Sequence, residues 1–314
     1  MQIVRYTSGH KQEWDAFVDE SKNGTFLFKR DYMDYHSDRF RDCSHLFYDD
    51  KGGLLALLPA NIREEEHTLY SHQGLTYGGL VMKRDITAVQ VLDIFDGFLP
   101  FAGERYGAER LVYKAIPYIY SDYPAEEDLY ALFRHGAKVT QRHISSTVQM
   151  NDMLPFTSKR RGKVRKAERA GLSVRESADY GAFWHLLEEH LQEKFGVMPV
   201  HTCEEITRLA GRFPHNIHLF EVLCREELVA GGVVYLNGRV AHLQYSSVNP
   251  SGLETEALSF LFDYMIHDKY RDCSYFDFGI SDENGGLTLN EGLIYMKESC
   301  AGRAVLYDVY ELSI

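Results

Sequence analysis

The sequence predicts an α/β (α+β) protein made of two tandem units, each a mixed, mostly antiparallel sheet flanked by helices. Three observations carry this expectation. HLFYDDKGGLLALLPANIREEEHTLYSHQG, His45 to Gly74, has a counterpart in HLFEVLCREELVAGGVVYLNGRVAHLQYSSV, His218 to Val248. Each opens on HLF, turns on polar residues, runs through a second apolar strand and reaches a Tyr-Ser pair, Tyr70-Ser71 or Tyr245-Ser246. Their alternation and turn spacing read as antiparallel meanders. Each meander is followed by an apolar-periodic helix and a further strand, so the order helices, three strands, helix, strand occurs in duplicate.

In the first unit, KQEWDAFVDES and RDYMDYHSDRF supply the leading helical sequence. The meander follows, then a helix from Val89 to Tyr106, then the strand RLVYKAI. HISSTVQMNDMLPF ends the last strand of this half, which puts a boundary near residues 145 to 155 and gives units at 1–150 and 151–314. A helix from Arg160 to Ala170 opens the second unit, and Gly171 stands at its natural C-cap. DYGAFWHLLEEHLQEKF and CEEITRLAGRF are the next helices. After the second meander comes ETEALSFLFDYMIHDKY, where Leu258, Leu261, Phe262, Met265 and Ile266 share one helical face. The chain closes with FDFGISDENGGLTLNEGLIYMKE: a strand ending in Gly279, an acidic loop with Gly285 and Gly286, and a helix carrying Tyr295, Met296, Lys297 and Glu298.

Composition bounds the partners. The 314 residues, 45% hydrophobic and 25% charged, are those of a globular protein with room for a sizeable core in each half. A formal charge of −12 argues against coating DNA through the whole surface, because phosphate binding needs a broad basic footprint. One local basic patch exists. SKRRGKVRKAER holds Lys159, Arg160, Arg161, Lys163, Arg165, Lys166 and Arg169 against Glu168 alone, and reads either as a solvated helix or as a clamp for an anionic ligand. No apolar run approaches the roughly 20 residues that span a bilayer, and MQIVRYTSGHKQEW lacks the pattern of an export signal. The expectation is a cytoplasmic protein without membrane contact, whose cysteines Cys43, Cys203, Cys224, Cys273 and Cys300 are reduced.

The order of elements resembles the GNAT acyltransferase fold. Its duplication about a basic helix is similar to the Fem-type aminoacyltransferases and related tandem acyltransferases, including the BioF2-like acetyltransferases. WDAFVDESKNGTFLF near the start, KRRGKVRKAERAG at the junction, and FDFGI with its downstream MKE carry the resemblance. It implies an N-acyltransferase that moves an acyl group, acetyl or aminoacyl, from a thioester or ester donor to an amine acceptor. Acyl-CoA (acetyl-CoA) is the implied donor and no metal is implied. Two alternatives stand beside it: an aminoacyl-tRNA-dependent ligase of cell-wall precursors, which would meet a charged tRNA acceptor end, and a non-catalytic module holding an anionic sugar or peptide. The glycine-rich pyrophosphate loop of single-domain GNAT enzymes is replaced here by NPSGLETEAL, with one glycine and two glutamates.

Lys297 matches the Fem-type lysine implicated in stabilising charge at the transferring carbonyl, against the alternative of an exposed lysine paired with Glu298 or Glu291. Tyr295 is the candidate general acid toward a leaving thiolate. Asp277, alternating to the face opposite Phe276 and Phe278, is the candidate general base. Arg161 matches the junction arginine that faces phosphates in relatives, and Lys159 is grouped with it as a substrate contact. Tyr245, Ser246 and Met296 are expected to line the substrate cleft, at a strand splay that the resemblance puts after HLQYSSV and beside YFDFGI. A second basic contact from the first unit would have to come from Arg30 or Arg39. His72 and His242 read as structural, and no carboxylate is apparent in sequence to orient His242.

Overall fold

The computed structural model describes residues 1–314, the side chain of Phe195 excepted. Contacts divide the chain into two units, Met1–His143 with Glu283–Thr288 and Leu306–Ile314, and Ile144–Asp282 with Leu289–Val305. The division is not a single cut near residues 145 to 155.

The first unit contains β1 (Gln2–Arg5), α1 (Lys11–Glu20), α2 (Arg30–Met33), β2 (His45–Tyr48), β3 (Leu54–Leu58), β4 (Asn61–Arg63), β5 (Thr68–Tyr70), β6 (Val81–Met82), α3 (Ala88–Tyr106), β7 (Arg110–Lys114), α4 (Glu127–Arg134) and the first half of β8 (Lys138–Gln149). Its meander does not stay in one sheet. Strands β1, β2, β3 and β6 form an antiparallel sheet, whereas β4 pairs with β5 and β5 runs parallel to β7. Pro59, between β3 and β4, has no N–H to continue the ladder, and the chain passes there from one sheet to the other.

Several polar residues of the leading segment are buried here. The Trp14 indole N–H donates to the Phe28 carbonyl at 2.7 Å, and the Asn23 amide bridges Leu80 and Met82 of the backbone. Arg30 lies 3.8 Å over the Tyr6 ring and pairs with Asp34 and Asp42 at 2.5 and 2.8 Å. α3 starts on a Thr87/Gln90 capping box and ends on Gly107 at φ +63°. Its apolar stripe, Val91, Ile94, Phe95 and Phe98, packs into the core of this unit with Ala131 and Leu132 of α4.

The second unit takes the rest of β8 and then α5 (Ser158–Arg169), β9 (Leu172–Ser177), α6 (Tyr180–Phe195), α7 (Cys203–Arg212), β10 (Ile217–Cys224), β11 (Glu227–Asn237), β12 (Val240–Val248), α8 (Pro250–Thr255), α9 (Ala257–Tyr264) and β13 (Tyr275–Ile280). The short pair β14 (Asp282–Glu283) and β15 (Thr288–Leu289) follows, then α10 (Glu291–Ser299) and β16 (Arg303–Ser313). The last part of β16 returns to the first unit because Val309 to Ser313 pair antiparallel with β7. In the second unit the strand order is β8, β13, β12, β11, β10, β9. The meander β10–β11–β12 is antiparallel as the alternation predicts, and β12 runs parallel to β13.

The basic helix α5 is amphipathic by position rather than by charge. Arg160, Val164 and Ala167 are its buried residues, while most of its other charges face solvent. In α9 and the π turn after it, Leu261, Phe262, Met265 and Ile266 are fully buried, as the helical face predicts. In the loop with Gly285 and Gly286 the backbone runs close to β8, where a Cβ at Gly286 would stand 1.9 Å from the Arg142 carbonyl oxygen. Among the described residues, no helix is long and apolar enough to cross a membrane.

Two outcomes follow for the fold. A Cβ at Gly252 would lie 2.3 Å from the Val229 carbonyl oxygen, backbone that cannot swing aside. Gly252→Ala should lower stability by roughly 1–3 kcal/mol, read as a reduced urea midpoint at unchanged m-value. All five cysteines are free thiols, so titration of the denatured, non-reduced protein should count five.

Candidate active site

The feature that makes a site is where β12 and β13 stop pairing. Their parallel ladder holds for Val240 with Tyr275, Ala241 with Phe276 and His242 with Asp277, and then ends. The splay therefore opens beside His242, inside the segment HLQYSSV rather than after it. On the other side of β13, the register against β8 shifts between Asp277 and Ile280, with one extra residue on β13. Gly279 sits in that bulge at φ +76°, a conformation that suits a residue without Cβ. Bulge and splay together turn backbone carbonyls of β13 away from the ladder.

Lys297 occupies that end of the strand. Asn290 caps α10 by accepting the Leu293 N–H, and its own N–H donates to Ser281 at 2.9 Å, so the helix starts against the end of β13. Side chains on a helix lean toward its N-terminus, and Lys297 leans back onto the strand. Its Nζ donates to the carbonyls of Gly279 and Ile280 at 2.8 and 2.6 Å. The residue is 5% exposed and pairs with neither Glu298 nor Glu291. Burial lowers its pKa to about 8, against the opposing pull of Asp277 and Asp282. An ammonium has three protons, and two are committed here.

Asp277 is fully buried. Phe276 and Phe278 do face the other way, with ring centroids 5.0 Å apart in the apolar core. The carboxylate accepts from the hydroxyls of Ser145 at 2.5 Å and Thr147 at 2.8 Å, both on β8, and lies 2.7 Å from Nδ1 of His242. It is thus not an open base for a substrate proton. It is instead the orienting carboxylate that His242 seemed to lack: the two are 35 residues apart and meet only because β12 and β13 are parallel neighbours.

The other expected contacts separate. Tyr295 is 56% exposed, because residues two apart on a helix face different ways, and it does not share the Lys297 side of α10. It walls a cleft of ≈ 180 Å³ with Thr157, Lys159, Arg160, Lys163, Met296 and Ser299. Lys159 lies 5.7 Å from the Tyr295 ring centroid, and Lys163 pairs with Glu256 at 2.9 Å. Arg160, rather than Arg161, is at the floor: its guanidinium donates to Ser299, Ser259 and the Met296 carbonyl. Arg161 is exposed and bonds the Phe156 carbonyl, outside the cleft walls. Neighbouring arginines on a helix point about 100° apart, so only one can be the inward one.

A bulge at Gln244 separates Leu243 from the alternation of Tyr245. The Tyr245 hydroxyl lies 2.6 Å from Nδ1 of His201 and its ring stands edge-on to Trp184, with burial pushing the phenol up to about 12. Ser246 is half-buried on the same strand, opposite Gly232. In the first unit the buried Arg30 is consumed by its pairs with Asp34 and Asp42, and Arg39 lines a separate cleft with Phe40 and Arg41. The loop NPSGLETEAL leaves no bare helix start either. Asn249 takes the Gly252 N–H at 2.8 Å, and Glu256, left-handed at φ +63°, turns toward Lys163. Among the described residues, no group of three or more His, Cys, Asp or Glu side chains is arranged to hold a metal ion.

Comparison with known proteins agrees with this architecture. Residues 158–284 match the model of the acetyltransferase (GNAT) domain. The whole chain is similar in fold to the crystal structure of FemX, with a TM-score of 0.68 and 14% identity over 100% of this chain and 98% of that one. It is similar to L-PGS from Bacillus licheniformis, with a TM-score of 0.61 and 15% identity over 95% and 90% of the two chains. A tandem GNAT protein from the clavulanic acid biosynthesis pathway gives a TM-score of 0.52 and 10% identity over 99% and 98%. No curated protein matches the chain by sequence. The chain is thus an acyltransferase whose residues 158–284 resemble the GNAT acetyltransferase domain and whose fold is similar to that of FemX.

Proposed function

We propose that this acyltransferase is an N-acyltransferase working at the β12–β13 splay of its second unit, with an acyl-CoA thioester as donor and a primary amine as acceptor. The observation that carries the reading is the Lys297 ammonium, buried at the end of β13 with one proton uncommitted. Acyl transfer to an amine passes through a tetrahedral oxyanion, and a cation in a dry, pre-formed setting stabilises such charge far more than it would in water. The carbonyls of Gly279 and Ile280 hold the ammonium in place, and its third N–H is the donor to the oxyanion.

The basic cleft next to Met296 suits the anionic part of the donor. Lys159 and Lys163 line it from α5, which starts there, and Tyr295 from α10, while Arg160 holds α5, α9 and α10 together beneath them. Phosphate recognition moves in this reading from the capped α8 loop to the start of α5. Tyr295 acts as a wall of this cleft rather than as an acid. The same capped loop favours a second reading, an aminoacyl ester donor such as a charged tRNA end, which does not need the pyrophosphate loop of CoA enzymes. A thermal-shift series with CoA, acetyl-CoA, UDP-linked precursors and charged tRNA separates the two. A ligand that binds the native state raises the midpoint. A rise with CoA and acetyl-CoA supports the thioester reading, and a rise with charged tRNA alone replaces it.

Lys297→Met should lower kcat and kcat/KM together by roughly 10²-fold or more, because the contact matters only once charge develops. The pH profile supplies a second check. A lysine whose pKa has fallen to about 8 loses its proton as pH rises through that value, so turnover that needs the ammonium should decline above about pH 8. A profile flat to pH 10 would rule out this role. Ground-state anion contacts behave differently. Replacing Lys159 and Lys163 together by Ala should raise the KM for the phosphorylated donor roughly tenfold with little change in kcat, and wild-type affinity should weaken with salt. Arg161→Ala, outside the cleft, should leave KM within about twofold.

A further inference from the structure

We propose that His242 is the general base that takes the proton from the attacking amine, with Asp277, Ser145 and Thr147 holding its imidazole in the working orientation. The inference rests on the acyl-transfer reading above and adds the group that reading leaves out. Its ground is geometric. His242 is the last β12 residue in register with β13, so its side chain stands at the mouth of the splay. Nδ1 is 2.7 Å from the Asp277 carboxylate, which can only accept, so the ring proton sits on Nδ1 and Nε2 carries the lone pair. Among the described residues Nε2 has no hydrogen-bond partner, and it is not a sealed buried atom. The residue is 8% exposed, enough for one face of the ring to meet a ligand and too little for bulk water to surround it.

The surroundings fix the ring and keep space beside it. Asp277 is held in turn by the hydroxyls of Ser145 and Thr147 and by the Gly279 N–H at 3.4 Å, so the carboxylate cannot rotate away. A Cβ at Gly279 would come within 3.4 Å of the His242 Cε1, on the edge of the ring that carries Nε2. Glycine there leaves that edge clear. The charged and titratable groups facing the pair are Asp277 on β13, the Lys297 ammonium that interacts with Asp277 from α10, and Tyr235, which lies opposite His242 on β11. β8 brings the hydroxyls of Ser145 and Thr147 to the carboxylate.

The chemistry balances without a further reactant. The amine enters neutral, its nitrogen lone pair forms the C–N bond to the acyl carbon, and Nε2 takes one N–H proton as the carbonyl oxygen becomes the oxyanion. Collapse of the tetrahedral intermediate breaks the bond from carbon to the leaving sulfur or oxygen. That atom takes the proton back from the imidazolium, and His242 returns neutral. Asp277 stabilises the transient imidazolium and does not itself take a proton.

Two measurements test the assignment, one of which needs no substrate. Long-range ¹H–¹⁵N spectra of histidine-labelled protein at the pH of the assay should show His242 as the Nδ1–H tautomer with Nε2 unprotonated, and Asp277→Asn should change that tautomer preference. A ring that is doubly protonated at that pH, or whose single proton sits on Nε2, overturns the proposal. The second measurement follows thiol release from acetyl-CoA with a panel of primary amines. His242→Ala should lower kcat by at least about 10²-fold, and added imidazole should restore part of the rate. His242→Ala that folds, as judged by its melting transition, but keeps wild-type kcat overturns the proposal, as does a rate lost and not restored by imidazole in a folded protein. If wild-type protein releases no thiol with any amine while the spectra show the Nδ1–H tautomer with Nε2 unprotonated, the acyl-CoA reading fails and the base assignment is supported by the spectra.

Discussion

Most of what distinguishes the second unit depends on one interruption of pairing, the end of the β12–β13 ladder at His242 and Asp277. A sheet that continued there would use its backbone N–H and carbonyl groups on neighbouring strands and leave nothing for a ligand. Ending the ladder creates polar groups that must be satisfied, since an unpaired buried carbonyl or carboxylate costs far more than a hydrogen bond gains. The structure meets that demand with side chains. Lys297 covers the carbonyls of Gly279 and Ile280, and Ser145, Thr147 and His242 cover Asp277. Each is a group with chemical capacity held in a fixed direction.

The same constraint explains why α10 lies where it does. Asn290 caps the helix and bonds Ser281, so the helix begins against the end of the strand and returns Lys297 to it within two turns. On the opposite side of α10, Tyr295 and Met296 face α5, and Arg160 ties the two helices through Ser299 and the Met296 carbonyl. One nine-residue helix thus contributes to a buried cationic site on one side and to a basic cleft on the other. Between them the backbone is short and rigid, which is the property a group-transfer site needs to hold a donor's reactive carbon apart from its anionic tail.

The first unit follows the same plan of elements with a different use of polar residues. Lys22, Asn23 and Arg30, which follow the first helix, are all nearly inaccessible and paired inside the unit. They hold the chain between α1 and β2 onto the sheets. A buried cation already paired with carboxylates has no capacity left for a ligand, because breaking such a pair leaves an uncompensated charge.

The periodic pattern by itself determined the element order, the apolar face of α9, the continuous meander β10–β11–β12 and the strand that carries Asp277, because helix and strand periods are local and the core reads them directly. The basic helix and its terminal glycine were legible for the same reason. Tertiary structure alone decided the rest. Whether Arg160 or Arg161 turned inward depended on the helix phase set by packing against α9. The split of the first meander depended on which sheet the chain entered after Pro59. The pairing of His242 with Asp277 depended on parallel registry between strands 35 residues apart, and the division into units on a C-terminal strand returning to β7. These are long-range choices, and no period in a window of residues encodes which distant strand will lie beside it.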